Sequence, residues 1–381
     1  MKILFHIHCL GKGGAERVLT ILASCFAKEG NEIIIATEEY AIEEYQIPNE
    51  IKRVDVGVIN TRMNPVSRYM AIRKRIRKLR NCIRTEEPDL VIAFERNCNY
   101  RALQAVKGVK IKGRNVPVIV SVRNDPKRNY TGRNLFFSRR NMLNAAAGCV
   151  FQTKEAQSFF PQELQERSIV IWNPINEKYL ETQYCSSKEL YFVNVGRMAP
   201  QKNQALLIRA FVHVHRMYPE YKLRIYGGDT GDGTSQQLAA LVKECGLEHN
   251  VQFMGISDKL EEEVPRACGF VLSSDYEGMP NVVMEALAMG VPVISTDCPC
   301  GGPASLIEDG INGRLVPVGD EEALAEAMLE LIADPERAQR LGIKAMEIRK
   351  KANIETIYGQ WKTYIAHVLC IHKEKQDGRK E

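Results

Sequence analysis

Two glutamates eight positions apart, Glu277 and Glu285, enclose Gly278, Met279, Pro280 and Asn281, and the apolar run after Asn281 has helical spacing. Proline favours the first helical position, so a helix is expected to open near Pro280, with Gly290 closing it and a strand resuming at Pro292. The free N–H groups of Met279, Asn281 and Val282 would then form an anion site at the helix start. Glu277, in the turn, would face the sugar side of a phosphate held there. Glu285, one and a half turns in, could accept from both hydroxyls of a ribose. The plainer reading is a helix-start glutamate with a solvent-facing partner.

Gly196, Arg197 and Lys202 follow a second apolar run that ends at Val195. Two cations at a strand's carboxyl end can clamp a diphosphate and neutralise its charge as it leaves; the plainer reading is a surface arginine and lysine. Weaker signals are the glycines of residues 227–233 and Gly255, which allow close backbone approach. Near the N-terminus Gly11, Gly13 and Gly14 precede a helix, but Glu16 stands where the third glycine of a dinucleotide fingerprint belongs. That match fails, and there is no Gly-Lys-Ser/Thr phosphate loop.

These segments need strands to carry them. Short β-branched runs at 2–8, 32–37, 90–94, 118–122 and 148–152 alternate with helical patterns such as 15–28 and 70–84. The pattern restarts after Asn173-Pro174, with strands at 191–195, 222–226, 251–254, 269–273 and 292–295. Alternation of this kind means parallel sheets covered on both faces. The expected fold class is α/β, with two Rossmann-like domains facing a cleft: 1–172, joined by a C-terminal helix of about 358–381, and 173–357. Residues 352–369 read as one or two helices, and the polar tail 373–381 as frayed.

The 381 residues carry 52 Lys+Arg and 47 Asp+Glu; 30 and 18 of these fall in residues 1–180, giving +12 there and −7 in the remainder. A basic half points to an anionic partner or to a solvated basic surface. No stretch reaches the length of a membrane span and the start is too polar for a signal peptide. Eleven cysteines without a Cys-x-x-Cys pair fit a reducing compartment, and Cys298-x-Cys300 is a weak metal signal. His213 and His215, two apart on a helix, would not share a ligand.

Taken together, Glu277 through Glu285, Val195-Gly196-Arg197 with Lys202, the Gly-Gly-Ala-Glu-Arg loop ending at Arg17, and Cys300-Gly301-Gly302-Pro303 resemble the family-4 retaining glycosyltransferases. The resemblance runs from residue 1 to about 365. It implies the GT-B fold, a UDP-sugar donor, retained anomeric configuration, and no metal or other cofactor. It implies that Arg197 and Lys202 hold the diphosphate, Glu285 the ribose, and Glu277 the sugar or its transition state. The resemblance also implies that Gly196 belongs to the donor site, that the backbone of Gly278 to Asn281 contacts phosphate, and that Gly255 and Ile256 meet the base. The departing phosphate oxygen is expected to take the acceptor proton. Gly13 and Gly14 fall on the acceptor side. Where many members carry a histidine after the fourth strand, residues 121–126 offer only Arg123 or Asp125. Specificity is expected in residues 229–235 and 123–133.

The basic stretch 68–84, which contains the expected helix 70–84, places Ile72, Ile76, Leu79 and Ile83 on one face, with basic residues over most of the rest. An ordinary solvated helix is one reading. The sharper one attaches Arg73, Lys74, Arg75, Arg77 and Lys78 to an anionic membrane surface. With the resemblance, this implies an undecaprenyl-diphosphate-linked sugar or other glycan acceptor, a donor such as N-acetylgalactosamine, no nucleic-acid partner, and a peripheral place on the inner face of the cell membrane. An epimerase on the same fold would need acid/base histidines that are not supplied. A binding-only protein would not need Arg197, Lys202, Glu277 and Glu285 together, and an NAD-dependent oxidoreductase fails on the fingerprint.

Overall fold

The computed structural model describes residues 1–58, 64–131 and 139–377. The chain forms two compact units, Met1–Asn173 joined by the segment from Ile357 onward, and Pro174–Thr356.

The first unit is built on β1 (Lys2–Ile7), β2 (Glu32–Thr37), β3 (Lys52–Asp55) and β4 (Leu90–Phe94). A two-stranded hairpin follows, β5 (Lys110–Ile111) with β6 (Arg114–Asn115), then β7 (Val118–Ser121), β8 (Gly148–Phe151) and β9 (Ser168–Val170). Apart from the hairpin these strands form one parallel sheet in the order β3-β2-β1-β4-β7-β8-β9. The central strands are buried along almost their whole length, as a sheet covered on both faces requires. From β1 the chain builds outward through β2 and β3, then crosses back to β4. The topological switch point therefore lies between the carboxyl ends of β1 and β4.

The helix Pro65–Glu86 is longer than the expected 70–84, because Asn64 caps it by accepting from Ser67 N at 2.7 Å and Pro65 fits its first turn. It stops at Glu87, which has φ +49° and precedes Pro88. Leu79 and Ile83 are buried as the periodicity predicts, but Ile72 is 36 % exposed, along with Val66, Tyr69 and Met70.

The helix Ile354–Asp377 packs on the first unit. Trp361 is fully buried and stacks on Phe94 at 6.0 Å. The Tyr364 hydroxyl accepts from Cys149 N at 2.8 Å and donates to Arg167 O at 2.6 Å. The tail expected to be frayed is helical through Asp377; residues 378–381 lie outside the described residues.

The second unit contains β10 (Glu189–Val195), β11 (Lys222–Tyr226), β12 (Val251–Gly255), β13 (Ala267–Leu272), β14 (Val293–Thr296) and β15 (Arg314–Val316). Their order is β12-β11-β10-β13-β14-β15, all parallel. Its switch point lies between β10 and β13, the two strands that lead into the segments with Lys202 and Glu277. No helix among the described residues is long and apolar enough to cross a membrane.

Candidate functional site

In the second unit, the turns after β10, β11 and β12 are joined by backbone. Gly196 N donates to Tyr226 O at 2.8 Å, Met198 N to Gly228 O at 2.9 Å, and Gly227 N to Gly255 O at 2.8 Å. This explains the glycines that the sequence marked only weakly. Gly227 has φ +147°, and a Cβ there would lie 1.9 Å from Gly196 O. Gly228 leaves room for Ile256, whose Cδ1 would stand 3.2 Å from a Cβ at that position. Gly255 takes φ +70°, and Ile256 is 76 % exposed at the rim.

The turn after β13 is held from beneath. Asp275 N donates to Gln201 O at 2.9 Å, Asn203 Nδ2 to Asp275 Oδ1 at 2.8 Å, and Glu277 N to Pro299 O at 2.7 Å. Cys300 N returns a bond to Glu277 O at 2.9 Å. A Cβ on Gly302 would lie 1.8 Å from Gly278 O, so the Cys300 to Pro303 segment presses directly on the turn before the helix Asn281–Ala288. Pro280 is the cap of that helix rather than its first residue, and the first internal bond runs from Val283 N to Pro280 O at 3.0 Å. Both Cys298 and Cys300 are buried, and burial pushes the Cys298 thiol up to about 12.

The structure brings Glu277 and Lys202 together. Lys202 Nζ is 2.6 Å from Glu277 Oε1, with the two side chains only 16 % and 9 % exposed. Ser274 Oγ donates to the same oxygen at 2.7 Å, and Gln201 Nε2 reaches Oε2 at 3.5 Å. The stem of Lys202 lies along Gly196, where a Cβ would sit 3.4 Å from its Cδ and Cε. Arg197 is exposed, and its side chain has no partner among the described residues. The two expected cations therefore differ: one is held in an ion pair, the other is free to move onto a ligand. Glu285 is buried in the helix that Pro280 caps. Gln201 and Ser274 were not singled out from the sequence; their only signal was adjacency to the motif residues.

In the first unit Gly13 caps the helix Gly14–Lys28, with Glu16 folded across it, so a Cβ on Gly13 would fall 2.2 Å from Glu16 Oε2. Neither residue offered in place of the family histidine points outward. Arg123 lies 4.5 Å over the Phe94 ring and 5.9 Å over Trp361, and donates to Asn173 Oδ1 at 2.7 Å. Burial pushes its guanidinium down to about 9, which leaves it charged at neutral pH. Asp125 is buried and caps the turn Pro126–Asn129 by accepting from Lys127 N at 2.9 Å. Of the specificity loop expected at 123–133, residues 132 and 133 lie outside the described residues.

Behind the switch point lies a charged cluster that the sequence reading missed. Glu38 is buried, with Arg101 Nη1 2.8 Å from Oε1, His8 Nδ1 3.3 Å from Oε2 and His6 Nε2 3.6 Å from Oε1. Burial alone would push the Glu38 carboxyl up; the imidazoles of His6 and His8 and the charge of Arg101 hold it well below the usual carboxylate range. His6, Glu38 and Cys98 could converge on a metal ion, but the Arg101 guanidinium already neutralises Glu38 from within the same cluster.

Two of the five residues assigned to a membrane are engaged elsewhere. Arg75 is 16 % exposed, 3.2 Å from Glu39 Oε1 and 3.9 Å from Glu38 Oε2. Lys78 donates to Gly57 O, because the helix turns that face back onto its own unit. Arg73, Lys74 and Arg77 are exposed, with Arg73 near Tyr69.

Two successive parallel-sheet units of this Rossmann-like kind are the GT-B architecture. The solved structure of Anabaena HepE in complex with UDP aligns with a TM-score of 0.77 and 20 % identity over 96 % of this chain and all of that one. Sucrose-phosphate synthase from Thermosynechococcus elongatus aligns with a TM-score of 0.80 and 18 % identity over 97 % and 99 %. The chain belongs to the GT-B glycosyltransferases: residues 12–179 match glycosyltransferase family 4 and residues 178–347 match glycosyl transferases group 1. A Campylobacter jejuni α-1,4-N-acetyl-D-galactosaminyltransferase acting on a diphospho-undecaprenol-linked glycan is 28 % identical over 373 residues, covering 97 % of this chain and 99 % of that protein. An uncharacterised glycosyltransferase of Methanocaldococcus jannaschii is 28 % identical over 369 residues, covering 84 % and 89 %.

Proposed function

We propose that the protein transfers an N-acetylhexosamine, N-acetylgalactosamine first among the candidates, from its UDP-sugar to an undecaprenyl-diphosphate-linked glycan, with retention and without a metal. The observation that carries this reading is the Lys202–Glu277 pair at 2.6 Å beneath the turn that opens the helix Asn281–Ala288. A diphosphate seated at that helix start would draw Lys202 off Glu277, and exposed Arg197 would close on it from the neighbouring turn. Glu277 would then be released toward the sugar as positive charge develops there. Lysine, arginine and oriented N–H groups supply the counter-charge that a divalent ion supplies in other transferases.

The acceptor half of the reading leans on the Campylobacter relative and on the basic first unit. Arg68, Arg73, Lys74 and Arg77 project beside exposed Val66, Tyr69, Met70 and Ile72, a pairing suited to an anionic lipid surface. We place the working enzyme on the inner face of the cell membrane.

The test is a panel of UDP- and GDP-sugars scored by thermal shift in EDTA. A UDP-sugar at a hundred times its Kd should stabilise by about 2.7 kcal/mol, a rise of roughly 2–4 °C. Stabilisation by a GDP-sugar alone would refute the donor assignment, and a strict need for added Mg²⁺ or Mn²⁺ would refute the mechanism.

A further inference from the structure

Asn203 stands between Lys202 and the helix Gln204–Met217, at φ 44° and ψ 46°. Helix caps are ordinarily extended, and asparagine is one of the few residues with a side chain that enter the left-handed region readily. Capping uses half of its amide: Oδ1 accepts from Leu206 N at 3.2 Å, while Nδ2 donates to Asp275 Oδ1 at 2.8 Å. A cap alone requires neither the left-handed backbone nor the second bond. Backbone of this kind persists where its surroundings impose it, and it gathers at sites that hold ligands.

The bond to Asp275 joins two side chains and belongs to a set of four. Asp275 N donates to Gln201 O at 2.9 Å, Ser273 Oγ to Lys202 O at 3.0 Å, and Gln201 Nε2 to Tyr276 O at 2.8 Å. Together they tie residues 201–203, after β10, to residues 273–276, after β13, all within the second unit. None of them uses Lys202 Nζ or the Glu277 carboxylate. The same helix start reaches the other cation, because buried Gln204 donates from Nε2 to Arg197 O at 3.0 Å. Turns locked in this way keep their spacing when the ion pair between their side chains opens. Charged groups that need no rearrangement stabilise a ligand's charge most strongly.

We propose that Asn203 and Asp275 are positioning residues: their amide–carboxylate bond keeps the Lys202 turn and the Glu277 turn in register, so that both side chains stay aimed at a nucleotide-sugar diphosphate once it separates them. The role rests on the transferase reading above. Of the four bonds this is the one that substitution can reverse, since amide and carboxylate can exchange places with the same net charge and nearly the same volume.

The experiment uses the full chain and the UDP-sugar chosen by the panel, with donor Kd from calorimetry and melting temperature without ligand. Asn203→Gly keeps the left-handed backbone but has no amide, and should weaken donor binding at least about tenfold. Asn203→Asp sets two carboxylates against each other and should weaken it further. Asn203→Asp combined with Asp275→Asn restores one donor and one acceptor, and should bind within about threefold of wild type. Asp320→Ala is the control for stability alone. Asp320 caps the helix Glu321–Ala333 of the same unit by accepting from Ala323 N at 2.9 Å, so its loss should lower the melting temperature and leave donor Kd within about threefold. Donor binding by Asn203→Gly within threefold of wild type overturns the role. So does an exchanged pair that binds no better than Asn203→Gly, or an equal loss of affinity in Asp320→Ala. Absence of UDP-sugar binding by wild type overturns the transferase reading itself, and the role with it.

Discussion

Lys202 Nζ rests 2.6 Å from Glu277 Oε1, the cation expected on the diphosphate paired with the acid expected beside the sugar. The pair sits in a site mostly closed to water, and it must open or be shared if a donor enters. Removing one partner leaves a buried charge without compensation, whereas removing both leaves none.

Lys202→Ala is therefore expected to cost about 1–3 kcal/mol of stability and to abolish measurable transfer. Lys202→Met combined with Glu277→Gln should melt closer to wild type than Lys202→Ala does, while remaining inactive. Thermal denaturation of the three proteins without ligand checks this. Equal melting of single and double variants would mean that the pair is not coupled.

The glycines of the turns around Glu277 make a sharper steric prediction. A Cβ at Gly302 would meet Gly278 O at 1.8 Å, backbone that cannot yield as a side-chain tip can. Gly302→Ala should move the turn before Pro280, weakening UDP-sugar binding at least about tenfold while the first unit keeps its structure. Gly310→Ala, where a Cβ would meet nothing within 4 Å and only the backbone at φ +73° is strained, should leave donor binding near wild type. Donor titration by calorimetry on both variants checks this.

Much of this was legible in the sequence. The Glu277 to Glu285 spacing, the Gly-Arg turn before Lys202 and the alternation of strands and helices put these turns at carboxyl strand ends, where the structure has them. Other features depended on neighbours distant in sequence. Periodicity put Ile72 on the apolar face of its helix, but whether that face is covered depends on where adjoining elements end, and Ile72 is left 36 % exposed. Arg75 and Lys78 read as surface charges until Glu38, Glu39 and Gly57 are brought beneath them. The position of Arg123 after β7 marks it as a candidate site residue, while where its side chain lies, over Phe94, depends on packing that residue type does not give. Glu95 carries no motif, and its positive φ is imposed by Ser121 and Asn99 and is not written in its residue type.

Glu95 also sets a pH dependence of stability. Its folded-state carboxyl lies near 7 against an ordinary 4.5, so between these values the folded chain holds a proton that the unfolded chain has lost. Its contribution is fully present below about pH 4.5 and is lost as pH rises to 7. Glu95→Gln should accordingly melt higher than wild type at pH 8, by about 1–3 kcal/mol, with the difference vanishing near pH 4.5. Glu38 works in the opposite sense: its depressed carboxyl stabilises above the unfolded value and loses that contribution as pH falls. Melting curves of Glu95→Gln across this range isolate the first effect, because Glu38 is common to both proteins.

The membrane assignment is tested with the residues that face outward. Arg68, Arg73, Lys74 and Arg77 are exposed, and Val66, Tyr69 and Met70 are 72 %, 56 % and 50 % exposed among them. At about 1 kcal/mol for each basic residue near an anionic surface, changing all four to Glu should lower partition onto phosphatidylglycerol vesicles roughly a hundred- to a thousandfold. Binding of wild type should weaken in 0.5 M salt, since these charges are screened. Val66→Ser with Met70→Ser should lower partition by a smaller factor that salt does not erase. Arg75→Glu, which would face Glu38 and Glu39, should instead lower the melting temperature and alter flotation little once folded. Equal flotation of wild type and the four-residue variant would remove the membrane from the account and leave the basic face to the diphosphate of the acceptor alone.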